Sequence, residues 1–188
     1  MTTLADPAPA RVTREQYFAL VDQGVLTEDD RVELLEGVIV AMPPEGPRHA
    51  EVVELVGDAL RAALGVRARV RSGHPFDAST WSVPEPDIGV VPGRRRDYLD
   101  RHPSSAHLVV EVAVSSLPQD RLTKAPIYAA AGILEYWIVN LRQDHVEVYR
   151  SPDAPARRYA VVEVARRGSR LALVAFPDVS VAVDDLLP

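Results

Sequence analysis

The 188 residues suffice for one domain with a sizeable core, and 47% hydrophobic against 26% charged residues is an ordinary globular balance. The absence of cysteine excludes a disulfide framework and a thiolate zinc site, and no apolar run reaches the ~20 residues that span a bilayer. No signal peptide is legible at the N-terminus, so the expected location is cytoplasmic, and the net charge of −6 weighs mildly against nucleic acid unless positive charge is concentrated locally. Residues 1–12, rich in Ala, Pro and Thr, read as a flexible tail, and 13–188 as a single domain. Thr13 followed by Gln16 forms a capping box, which predicts a helix through Asp22 with Gly24 at its end. Arg31–Met42 reads as one strand, bent at Gly37, and Pro43, Pro44, Gly46 and Pro47 break it. From Arg48 to Leu64, Val52, Leu55, Val56, Ala59, Leu60 and Ala63 recur at helical spacing. Strands are expected at Val66–Arg71 and Ile88–Val91. His107–Ser115 is so continuously apolar that it should be a central strand covered on both faces. A helix is expected from Asp120 to Ala131, then strands at Tyr136–Val139, Val146–Tyr149, Tyr159–Val164 and Leu171–Val174.

Two acids sit where acids are costly. Glu111 interrupts the most hydrophobic strand, and an ionised carboxylate buried there must be paired, coordinated or open to a cleft. Asp87 opens the next strand upstream, after Pro84 and Pro86. Side by side on neighbouring strands they would hold a hard divalent cation such as Mg2+; alternatively Glu111 pairs with an arginine and Asp87 caps a turn. Lys124 follows Glu111 on the next helix, with Asp120 and Tyr128 four positions to either side on the same face. Pro126 either delays that helix, with Thr123 as cap, or kinks it.

Four segments together resemble a known family: ValGluLeuLeuGluGly at 32–37, ProGluProAspIleGlyVal at 84–90, LeuValValGluVal at 108–112, and AspArgLeuThrLysAlaProIleTyr at the head of 120–140. Their order and spacing are similar to the Uma-two-type putative restriction endonucleases of the PD-(D/E)XK nuclease superfamily. The resemblance covers about 13–188. It implies an α/β fold, a restriction-endonuclease-like mixed β-sheet flanked by helices. It also implies an Mg2+-dependent (or Mn2+-dependent) endodeoxyribonuclease acting on DNA. Asp87 matches the aspartate of the PD motif and Glu111 the (D/E) position. Ala113 stands where the superfamily has lysine, which nominates Lys124 for that role. Glu33 and His49 match supporting positions, Asp120 could orient Lys124, and Tyr128 and Trp137 read as core beneath the site. On this reading Asp87, Glu111 and the Val112 carbonyl hold the metal, while two arginine segments, Arg61, Arg67, Arg69 and Arg71, and Arg94, Arg95, Arg96 and Arg101, contact phosphates.

Two-fold cutting suggests a homodimer joined around Val161–Val164 and Leu171–Val174. Two other functions remain open: a nucleic-acid-binding relative without turnover, and a metal-dependent hydrolase of a small phosphate ester. Lys124→Ala is expected to abolish cleavage and leave the fold nearly intact.

Overall fold

The computed structural model describes residues 10–27, 29–94 and 96–188. Most of the proposed tail, and Arg95, lie outside the described residues. Helix α1 (Arg14–Asp22) carries the anticipated capping box, with the Thr13 hydroxyl accepting from the Gln16 N–H. Gly24 adopts φ +69° just beyond its end. What reads as one bent strand is a hairpin of β1 (Val32–Leu35) and β2 (Val38–Ala41). Glu36 and Gly37 both have positive φ, 53° and 82°, which is the two-residue turn that matches strand twist. A Cβ on Gly37 would also come within 2.7 Å of Arg11.

Helix α2 (Pro47–Leu64) starts on Pro47, a residue suited to the first turn because its missing N–H is not needed there. Strand β3 (Arg69–Ser72) begins later than expected, since Val66 is fully exposed in the preceding turn. Strands β4 (Ile88–Val91) and β5 (Leu108–Ala113) follow, and every residue of both is buried. The chain then enters α3 (Leu117–Gln119), a π-helical turn at Asp120–Lys124, and α4 (Ala125–Ala130). The helical segment therefore starts at Leu117, ahead of both Asp120 and a late start capped by Thr123, and Pro126 falls in the first turn of α4 after the π turn. In the π turn the Ala125 N–H reaches back five residues to the Asp120 carbonyl. That wider turn accommodates a proline that has no N–H and needs room over the turn before it.

Strands β6 (Glu135–Asn140), β7 (His145–Asp153) and β8 (Arg158–Ala165) complete a six-stranded sheet in the order β3-β4-β5-β6-β7-β8. Only β5 and β6 pair in parallel, joined by the helical crossover, so the sheet is mixed. A separate hairpin of β9 (Arg170–Leu173) and β10 (Phe176–Ala182) packs with α2 on one sheet face. There Val52, Val56, Leu60 and Leu64 of α2 meet Ile88, Val90, Val110 and Trp137, each worth ~1.5–3 kcal/mol of transfer free energy. The other face packs against α4 through Tyr128, Ala129, Val109 and Tyr136. Leu171 and Leu173 belong to the core at 6% and 2% exposure, so they offer no dimer surface, contrary to expectation. Among the described residues no helix is long and apolar enough to cross a membrane.

Candidate active site

Antiparallel pairing sets Ile88 opposite Val110, and one further step along both strands sets Asp87 opposite Glu111. Alternation along β5 sends Val110 and Val112 into the core under α2 and turns Glu111 to the α4 face. The anticipated neighbourhood of the two acids thus follows from register. The Asp87 carboxylate accepts the Val112 N–H at 2.6 Å. In a strand, one residue's N–H and C=O point to the same side, so the Val112 carbonyl also faces the Asp87 edge. Of the two acids, Glu111 is nearly inaccessible and Asp87 is partly open.

Lys124 reaches this point from the π turn. Its Nζ lies 3.1 Å from Glu111 Oε1 and 3.3 Å from Glu33 Oε2, and all three side chains are buried. Tyr128, assigned above to the core beneath the site, is fully buried and also donates its hydroxyl to Glu111 Oε1 at 2.7 Å. Glu33, on β1, accepts the Glu85 N–H at 3.1 Å and the Gln119 amide at 3.3 Å. His49, in the first turn of α2, brings Nε2 to 3.3 Å from Asp87. Asp120 accepts the Ser116 hydroxyl at 2.7 Å and makes no direct bond to Lys124. All of these except Tyr128 and Val112 line one cleft of about 270 Å³, floored by Asp87 and Glu111.

The electrostatics are lopsided. Burial pushes Glu111 well above the usual carboxylate range; Lys124 opposes the rise and Asp87, Asp120 and Glu33 add to it. Burial pushes Asp120 up to about 6. Burial alone would lower Lys124, but Glu111, Glu33, Asp120 and Asp87 outweigh it and hold the ammonium charged. Asp87 raises His49, against the opposing pull of burial. Burial raises Tyr128, which keeps its proton and stays a donor.

Four acids therefore face one lysine. Asp87 Oδ1 and Glu111 Oε2 accept no hydrogen bond among the described residues, and both residues border the cleft. No group of three or more His, Asp or Glu among the described residues is arranged to enclose a metal ion. A partly open carboxylate on Asp87, a carboxylate oxygen of Glu111 without a hydrogen bond among the described residues and a backbone carbonyl suit a cation that retains most of its water, which is how Mg2+ binds.

Of the arginines expected to touch phosphate, Arg94 and Arg96 are not brought to this cleft. Arg94 and Arg96 are exposed in the loop beyond Val91, at the end of β4 opposite Asp87. Glu85, Gln119 and Ser116 were not anticipated. Glu85 had a signal, since it stands two residues before Asp87 in an extended segment and so shares its side. Gln119 and Ser116 had none, because they depend on the early start of the helix.

The Uma2 family model, described as putative restriction endonuclease, matches residues 14–184. No curated protein matches the chain. A solved structure, titled a putative nuclease belonging to DUF820 from Anabaena variabilis ATCC 29413, superposes with a TM-score of 0.72 at 17% identity. The match covers 93% of this chain and 97% of that one, and it shows a shared fold.

Proposed function

Because the chain belongs to the Uma2 family of putative restriction endonucleases, we propose that its acidic cleft hydrolyses phosphodiester bonds of DNA with the help of a divalent cation, Mg2+ or Mn2+. The observation that carries this reading is the buried constellation of Lys124 between Glu111 and Glu33, with Asp87 opposite on the adjoining strand. Asp87, Glu111 and the Val112 carbonyl would hold the cation. When bound, it would polarise the phosphate and lower the pKa of its water.

The chain's own residues have distinct tasks. Lys124 is held charged at the cleft floor, where its ammonium can neutralise charge that develops on phosphate oxygens during attack. Tyr128 and Lys124 together fix one oxygen of Glu111 and so orient the other toward the cleft. Glu33 holds Lys124 from the opposite side and ties β1 to the segment before Asp87. His49, on the cleft wall, can exchange a proton with Asp87 or with a leaving oxygen.

Supercoiled plasmid incubated with 5 to 10 mM Mg2+ or Mn2+, magnitudes on the order of ordinary assay conditions for a weakly held hard cation, should be nicked or linearised by the wild type. EDTA should stop the reaction. Asp87→Ala should lose activity and regain part of it at raised metal, because a lost ligand weakens the ion. No cutting of DNA under any of these conditions would reject the assignment.

A further inference from the structure

The sheet face that carries Asp87 and Glu111 also carries a basic group that this reaction does not use. Val70 packs toward α2, so alternation turns its neighbours Arg69 and Arg71 to the opposite face. Arg71 stands opposite Gly89, which makes it a diagonal neighbour of Asp87, roughly 7–8 Å away between Cα atoms. The chain from Gly73 to Pro86 separates them, with Phe76 buried among Val109 and Tyr128. Arg71 therefore opens into a second cleft, of about 540 Å³, between α1 and the loop around His102.

The lining of this second cleft is specific. The Arg71 guanidinium lies 5.3 Å over the Tyr98 ring, and Phe18 stacks on His102 at 5.4 Å. Arg101 is exposed at the rim. Three acids also border the cleft. Asp77 is taken up by Arg14, at 2.7 and 2.9 Å, while Asp22 and Asp100 are exposed to water and screened. Among the described residues neither Arg71 nor Arg101 makes an ion pair, and the buried Nε of Arg69 has no hydrogen-bond partner. Burial and then Arg69 lower Arg71, while burial and then Arg71 lower both His74 and His102. The Arg71 guanidinium is made costlier by burial and by Arg69, and an anion beside it would relieve that cost.

We propose that this cleft binds a phosphate group of a nucleic-acid backbone, with Arg71 and Arg101 as its cations. The choice of nucleic acid rests on the nuclease reading above. It is also favoured by the lining itself. Tyr98, His102, Phe18 and the exposed Leu99 offer ring faces and apolar surface to a sugar or base, which a free inorganic anion could not use.

The test is fluorescence anisotropy of a labelled oligonucleotide in EDTA, repeated across salt concentrations. Arg71→Gln and Arg101→Gln should each weaken binding about 3- to 10-fold and reduce the slope of log K against log salt by about one. Arg71→Lys should keep most of the slope. Unchanged affinity and slope in both glutamine variants would overturn the proposal. So would millimolar inorganic phosphate shifting the His102 ring resonances while neither variant alters oligonucleotide affinity, since the site would then serve a free anion. Circular dichroism reports folding, and if Arg71→Gln does not fold, the exposed Arg101→Gln decides alone. The two readings fail separately. A wild type that binds with the arginine-dependent slope but cuts nothing refutes the nuclease and leaves this site. A wild type that cuts, with both variants binding as tightly, does the reverse.

Discussion

Lys124→Met should unfold the protein more readily, contrary to the expectation from sequence that removing this ammonium, as in Lys124→Ala, spares the fold. The deciding quantity is exposure: the Lys124 side chain is 8% accessible, and its partners Glu33 and Glu111 are 2% and 4%. An exposed pair would contribute only about 0–1 kcal/mol. Removing one member of a buried pair strands the other charges and costs about 3–5 kcal/mol. Near 2–4 °C per kcal/mol for a chain of this size, melting should fall by about 6–20 °C. Thermal melts at pH 7 in EDTA read this directly. The double variant Lys124→Met/Glu111→Gln should recover part of the loss, because one stranded carboxylate becomes a neutral amide. Added Mg2+ should raise the melting temperature of Lys124→Met more than that of wild type, the ion taking over charge compensation. A Lys124→Met protein that melts within ~2 °C of wild type would refute the reasoning. The ammonium would then contribute no more than a surface pair, and the acids would be neutralised by protons instead.

Three further outcomes follow from the geometry. Asp120, pushed up to about 6 from an ordinary 3.8, binds a proton when folded that the unfolded chain releases, so stability falls as pH rises from about 4 through about 6. The fall amounts to about 3 kcal/mol, and Asp120→Asn, which keeps an acceptor for Ser116, should flatten it in melts at pH 4.5 and 7.5; identical pH profiles would contradict the burial argument. Tyr128→Phe deletes one donor to a buried carboxylate and should cost about 1.5–3 kcal/mol in urea titration, with no loss arguing that Lys124 alone satisfies that oxygen. The outer strand β8 exposes Val161, Val162 and Val164 at 37%, 56% and 51%, so a homodimer paired along this edge should appear in light scattering and be dissociated by Val162→Lys; a monomer at micromolar concentration removes the idea.

The sequence made the centre of the fold legible and its periphery less so. In β5 six successive residues are buried, and only a strand covered on both faces asks for that pattern. The same pattern made Glu111 conspicuous, because a carboxylate there has to be explained. The α2 stripe was equally plain. The β1–β2 hairpin was missed because its turn uses Glu36 at positive φ, where Asn or Asp would have announced it. Pro126 misled the placement of the helix start, since its missing N–H is harmless in the first turn of α4, directly after the π turn, and damaging only in a helix interior. Spacing put Lys124, Asp120 and Tyr128 on one helical face, but it could not say which would touch Glu111. That depended on the turn's extra residue. The arginine segments drew attention by number, but that Arg94 and Arg96 stand away from the acidic cleft while Arg71, partly buried and without an ion pair among the described residues, opens into a second one is visible only in space.

The charge count at the cleft is best explained by what the cleft is for. A chain selected for stability alone would not keep Glu33, Asp87, Glu111 and Asp120 around one lysine, because apolar residues of similar volume are often as stable as a complete buried ion pair. Here the set is not even complete. Glu111 and Asp120 are both driven upward by burial, which means the folded state bears a cost whenever they ionise. Lys124 offsets part of that cost, and Tyr128 and Ser116 offset more through hydrogen bonds. The remaining negative charge collects on the side open to the cleft, where Asp87 and Glu111 each keep an oxygen without a hydrogen bond among the described residues. A divalent cation bound there would balance the site and stabilise the fold at once. The observable consequence is that raising pH through about 6 should make the wild type progressively more dependent on Mg2+ for its melting temperature.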